Sequence, residues 1–141
     1  MSDLKTIPRR EELVKAAAEA AKSSYSPYSH FRVGAALLCS DGTVVTGANV
    51  ENRSFGLTIC AERSALVRAV AEGKRGFSAL AVFCADADYP VSPCGACRQF
   101  LSEFVPPDFP ILFSGGNGKP VIVTMGELLP HDALHELKDR S

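Results

Sequence analysis

The run ALAVFCA, residues 79–85, offers no polar side chain to either face. A strand of this kind has to be covered on both sides. It sits among segments of a different period. PRREELVKAAAEAAKSS, 8–24, reads as a helix: Pro8 suits a first turn, Glu11 and Glu12 favour the N-terminal end, and Leu13, Val14, Ala17, Ala20 and Ala21 form an apolar stripe. VGAALLCS and TVVTGANV flank Asp41-Gly42, a hairpin signal. ICAERSALVRAVAEG reads as a second helix closed by Gly73, and CGACRQFLSEF, 94–104, as a third, stopped by Pro106 and Pro107. PILFS and PVIVTM add strands, and MGELLP a short last helix. Strands alternating with helices of these lengths predict an α/β sheet covered on both faces.

The 141 residues suit one domain with a substantial core, and 46% of them are apolar, which argues against disorder. Fifteen basic residues against sixteen acidic ones give no excess for a nucleic-acid partner. The start, MSDLKTIPRREE, lacks the apolar core of a signal peptide, and no apolar run is long enough to span a bilayer. A soluble cytoplasmic protein, with no membrane partner, is expected. In that reducing compartment the five cysteines point to metal or catalysis before disulfides.

Cys94 and Cys97 stand three apart at the start of the third helix. Alone they fit a redox pair, half of a structural zinc site, or half of a catalytic one. Cys60 adds a third thiol, also at a helix start and also expected after a strand of the same sheet. Three protein ligands leave zinc an open position, which is the catalytic pattern. Three thiolates also carry more charge than the cation. Two helix N-termini and a guanidinium would offset it, and Arg63 and Arg98 each lie within a turn of a ligand. Glu62, two residues past Cys60, is placed to move protons beside such a centre; taken alone it is an ordinary helix-start glutamate. Cys39 and Cys84 fall in apolar strand patterns and read as core, His30 as a surface or rim residue, and SGGNGK, 114–119, as a turn. His131 and His135 have a metal-binding spacing but read as a solvated tail.

Together FRVGAAL, NVENRSFGLTICAERSA, SPCGACRQFLSEF and ELLP, spread over residues 9–130, resemble the small homotetrameric, zinc-dependent cytidine deaminases. The related signature His-x-Glu…Pro-Cys-x-x-Cys has the glutamate as acid/base, and here cysteine takes the histidine place. The resemblance implies a three-layer α/β/α sandwich with a five-stranded mixed sheet, and active sites shared near subunit boundaries. It implies one Zn²⁺ per chain on Cys60, Cys94 and Cys97, with Glu62 as proton shuttle and Arg63 bonding the thiolates. Asn49 and Glu51 would hydrogen-bond the ribose hydroxyl at C3′, Phe31 would pack against the pyrimidine, and the backbone N–H of Ala61 would grip the ring carbonyl. The implied reaction is hydrolytic deamination of free cytidine and 2′-deoxycytidine to the uridines plus ammonia, in pyrimidine salvage. The chain departs from the family pattern twice: Phe55 stands where tyrosine is frequent, and no aromatic follows Pro130, where Leu134 is the nearest substitute. A blasticidin S deaminase, a polynucleotide deaminase and a structural zinc domain are the rival readings. The NVEN motif disfavours the first, the near-neutral charge the second, and Glu62 with NVEN the third.

Overall fold

A computed structural model describes residues 6–117, 119–134 and 137. Helix α1 spans Arg10–Ala21 and buries Leu13, Ala17 and Ala21 on one stripe. It starts later than the position of Pro8 suggests. Arg9 turns into the left-handed region (φ 53), where its guanidinium reaches the Gly42 carbonyl at 2.7 Å and pairs with Glu12 at 2.6 Å. It also ends before Ser24, whose hydroxyl bonds the Asn49 side chain.

Strands β1 (Val33–Cys39) and β2 (Val44–Ala48) form the expected hairpin. At its tip Gly42 has φ 90, which a side chain would resist, and Asp41 Oδ1 accepts from the Thr43 N–H at 3.0 Å. Then come α2 (Ala61–Ala71), β3 (Phe77–Cys84), α3 (Gly95–Ser102), β4 (Pro110–Gly115), β5 (Val121–Thr124) and the short α4 (Met125–Leu128). The last begins with a capping box between Thr124 and Glu127.

The sheet order is β2-β1-β3-β4-β5, with β3 and β4 parallel and every other neighbouring pair antiparallel. This mixed five-stranded sheet is the one expected, and its two faces carry different helices. Alternation along β1 sends Ala35, Leu37 and Cys39 to the side of α2 and α3, and Ala36 and Leu38 to the side of α1. The result is the α/β/α sandwich. Buried Cys39 and Cys84 belong to this core, as predicted. Among the described residues no helix is long and apolar enough to cross a membrane.

One consequence of the topology places the site. Because β1 is antiparallel to both β2 and β3, those two strands run the same way, and their C-terminal ends lie on one edge of the sheet. Helices α2 and α3 follow those ends, so their N-termini converge there. Gly47 lets α2 lie against β2: a Cβ there would come within 2.4 Å of the Ala65 nitrogen and 2.8 Å of the Ala61 carbonyl.

Candidate metal centre

Cys60 and Cys94 are the N-cap residues of α2 and α3. Both have extended backbones, and neither side chain caps its helix. Where serine or aspartate would turn back onto the first N–H groups, these thiols turn towards each other. Their sulfurs lie 3.6 Å apart, and Cys97, one turn into α3 and buried, lies 3.5 Å from Cys94. All three sulfurs fall within 4.8 Å of one another, the one such potential metal-binding group among the described residues. Tetrahedral thiolates ~2.3 Å from zinc lie about 3.8 Å apart, so the donor set fits that ion.

The charges fit it as well. Cys60 is pulled down to about 5, first by a hydrogen bond from Cys97 and further by Arg63, against the opposing effect of burial. Cys97, which supplies that bond and is itself buried, is pushed up. Three thiols so close cannot all ionise against one another; a divalent cation at their centre lets them. Arg63 lies against the Cys60 sulfur. Its Nη2 donates to Cys60 Sγ at 3.6 Å and to the Thr58 carbonyl at 3.2 Å. Its buried Nε finds no acceptor, a cost borne where the guanidinium is held against the sulfurs. Arg98 behaves differently. It donates to the carbonyls of Pro93 (2.8 Å) and Leu128 (3.1 Å) and to Ser92 Oγ (3.3 Å), so it ties the segment before Cys94 to the end of α4.

Glu62 is 5% exposed, and burial, above all, raises its carboxyl to about 7. A group poised there can both take and give protons near neutrality. It lines a cavity of about 150 Å³ together with Cys60, Cys94, Ala61 and Asn49, under an apolar wall of Val33, Val82 and Val91. That wall was not legible in the sequence: Val33 and Val82 sit in strands and read only as core, and Val91 lies in the segment before Cys94 with no pattern to mark it.

Thr58 also borders a second, more open cavity, lined by Tyr28, Ser29, Glu51 and Phe55. Here Glu51 Oε1 accepts from the backbone N–H groups of Tyr28 (3.0 Å) and Ser29 (3.1 Å), and Oε2 accepts from the Ser29 hydroxyl. These bonds hold its carboxyl below the usual range, the Ser29 hydroxyl foremost. Asn49 is equally engaged. Its Oδ1 accepts from the Ser24 hydroxyl and from the Val33 N–H at 3.0 Å, and its Nδ2 donates to the Phe31 carbonyl at 2.8 Å. Phe31 is half-buried and touches this network through its backbone, but its side chain lines neither cavity. Ser24 and Ser29 went unnoticed in the sequence, where SSYSPYSHF registers only as the break after a helix. His30 is exposed there, as read, and His135 lies outside the described residues.

Three converging thiols, a guanidinium beside them and a buried carboxyl with a raised pKa at one sheet edge fit a zinc-dependent hydrolytic site on an α/β/α sandwich. Residues 8–113 match the family described as "Cytidine and deoxycytidylate deaminase zinc-binding region". A cytidine deaminase of Halalkalibacterium halodurans is 50% identical over 86% of this chain and 91% of its own. The crystal structure of a cytidine deaminase from Burkholderia pseudomallei superposes with a TM-score of 0.82 at 44% identity, covering 85% of this chain and 95% of that one. A blasticidin-S deaminase of Bacillus cereus is more distant, 32% identical over 84% of this chain and 88% of its own. The chain belongs to the cytidine deaminase family, and zinc is its cofactor.

Proposed function

We propose that this chain catalyses the hydrolytic deamination of free cytidine and 2′-deoxycytidine to uridine and 2′-deoxyuridine plus ammonia, in pyrimidine salvage. The observation that carries this reading is the placement of Glu62: a buried carboxyl near pKa 7, sharing one small cavity with Cys60 and Cys94 of the metal-binding set. Cys60, Cys94 and Cys97 would hold the zinc, which when bound would lower the pKa of a water towards neutrality. Glu62 takes a proton as water is consumed and delivers it to the ring N3, which makes C4 electrophilic. The water oxygen bonds to C4, and Glu62 then carries the hydroxyl proton of that adduct to the exocyclic nitrogen, so that the C4 carbonyl forms as the C4–N bond breaks and ammonia leaves. Arg63 offsets thiolate charge, and the Ala61 N–H, at the first turn of α2, faces the ring carbonyl.

The family resemblance assigns Asn49 and Glu51 to the ribose, and what these polar groups have left to offer supports it. Three donors occupy three of the roughly four acceptor sites of the Glu51 carboxylate. Asn49, with Oδ1 doubly engaged, keeps one N–H. One donor and one acceptor suit a single hydroxyl, which both accepts and donates. A 3′ phosphate, all acceptor and anionic, would be repelled by Glu51. Phe31 is assigned to the pyrimidine face. One catalytic domain over residues 1–141, acting in the cytoplasm as a homotetramer with shared sites, completes the reading.

Ultraviolet absorbance loss on cytidine, deoxycytidine, CMP and blasticidin S tests it. Turnover of the two nucleosides is expected, with little on the other two. Activity confined to blasticidin S, or none on any substrate from zinc-loaded protein, would overturn it.

A further inference from the structure

The segment between α1 and β1 carries an arrangement that the chemistry above does not use. Ser29 Oγ accepts the Phe31 N–H at 3.0 Å and gives its own proton to Glu51 Oε2. The backbone N–H of Ser29 and that of Tyr28 fill Glu51 Oε1. Two residues past Ser29 the Phe31 carbonyl is fixed in turn, by Asn49 Nδ2 at 2.8 Å. His30, between them, sits in the left-handed region at φ 61, with its N–H on the Ser26 carbonyl at 3.0 Å. A non-glycine residue is held there only when the surroundings impose it, and such residues gather at binding sites. Arg32 then anchors the far end, donating from its backbone N–H (2.9 Å), Nε (3.0 Å) and Nη2 (2.7 Å) to Asp86 beyond β3.

We infer that Ser29 is a positioning residue for nucleoside recognition: its single hydroxyl sets the Glu51 carboxylate and the Phe31 backbone in one register, so that sugar and base are gripped together. The inference rests on the assignment of Glu51 to the ribose and Phe31 to the base. The direction of the bonds supports it. Glu51, an acceptor only, forces the Ser29 proton towards Oε2, which leaves the serine lone pairs for the Phe31 N–H. By filling one side of Oε2, Ser29 also decides which lone pair remains for the substrate. Removing the hydroxyl leaves Glu51 its two backbone donors, so the carboxylate stays in the site but gains freedom. It also leaves the Phe31 N–H without its acceptor. Both changes weaken ground-state and transition-state binding alike and leave proton transfer at Glu62 untouched, which is the signature of a KM effect.

The test is a double-mutant cycle on the zinc-loaded protein with cytidine as substrate. Ser29→Ala is expected to raise KM about tenfold with kcat within about twofold, since the lost bond is charge-assisted. Ser29→Thr, which keeps the hydroxyl, should restore KM. In the Glu51→Ala background, Ser29→Ala should add far less than it does alone. If Glu51→Ala raises KM while Ser29→Ala leaves it at the parent value, the inference fails and the ribose assignment stands. Additive effects in the cycle, or a loss of kcat and zinc in step with a lowered melting temperature, would equally sink it. Parent-like KM in Glu51→Ala would overturn the ribose assignment itself, and the role of Ser29 with it.

Discussion

Glu62 shows how one position can be read two ways until its surroundings are known. As a first-turn residue of α2 it would contribute ~0.3–1 kcal/mol through the helix dipole and nothing else. At 5% exposure, with its carboxyl lifted to about 7 by burial, it is costly to keep there, and the proposed proton shuttle would account for it. Glu62→Gln is therefore expected to leave zinc content and melting temperature close to the parent's. Turnover should fall by ~10²–10⁴ or more, because general acid–base catalysis contributes on that scale and one group serves several transfers. Elemental analysis beside a cytidine assay checks it; an active variant would return Glu62 to the helix-dipole role, and a zinc-free one would make it a ligand. Arg63→Gln probes the charge balance. The Cys60 sulfur would lose the donor now 3.6 Å away. Zinc should remain, turnover should drop, and the acidic limb of the pH–rate profile should move to higher pH, because more electron-rich thiolates make the zinc a weaker acid. An unshifted limb at full rate would show that the guanidinium does not tune the centre.

The elements hold these residues in place through close contacts that tolerate no addition. Gly47→Ala would press a methyl against the backbone of α2 at Ala61 and Ala65, immediately after Cys60. The helix has to move, and Cys60 and Glu62 move with it. A loss of stability on the order of 1–3 kcal/mol, as for other overpacked positions, is expected together with weaker zinc retention. Chemical denaturation and a chelator challenge measure the two; parent-like values in both would mean that the α2–β2 contact is not what sets the site. The Arg32–Asp86 pair pins the Phe31 segment to the end of β3 and gives a pH dependence of known sign. Hydrogen bonds from the Arg32 side chain and backbone hold Asp86 down to about 2. Its contribution is thus present above the ordinary carboxylate value of ~3.9 and lost as pH falls through about 2. Asp86→Asn should melt below the parent at pH 6, and the gap should close between pH 4 and 2. Helix starts at Cys60 and Cys94, the turn at Gly42 and the closing Gly73 (φ 91) were all legible in the sequence, because each follows from local chemistry. The sheet order was not, since it depends on which strands meet across long separations. Nor were Ser24 and Ser29, because a hydroxyl in a loop announces no partner until the fold supplies Asn49 or Glu51.

At the scale of the whole molecule, the surface beside the outer cavity carries exposed apolar side chains that the proposed homotetramer would cover. Phe55 is 73% exposed, Leu57 65% and Val50 48%. Tyr25, Val50 and Ile59 adjoin through backbone bridges, and Tyr28 packs edge-on against Phe55 with ring centroids 5.9 Å apart. Tyr28 and Phe55 also line the cavity of Glu51. Monomers seldom leave apolar surface of this extent in water. A neighbouring copy seated here would cover these side chains and wall the open cavity at once, which agrees with a homotetramer whose sites are shared. Leu57→Lys tests the idea with little risk to the protomer, for an exposed side chain on a short turn normally costs within ~0.5 kcal/mol of folding stability. The parent should sediment as a tetramer. The variant should dissociate at micromolar concentration, keep its zinc, and lose activity through a higher KM, because the Glu51 cavity would stand open. A fully active parent that sediments as a monomer, or a Leu57→Lys protein that is dissociated yet undiminished on cytidine, would show that each chain completes its own site and that the exposed aromatic cluster serves something else.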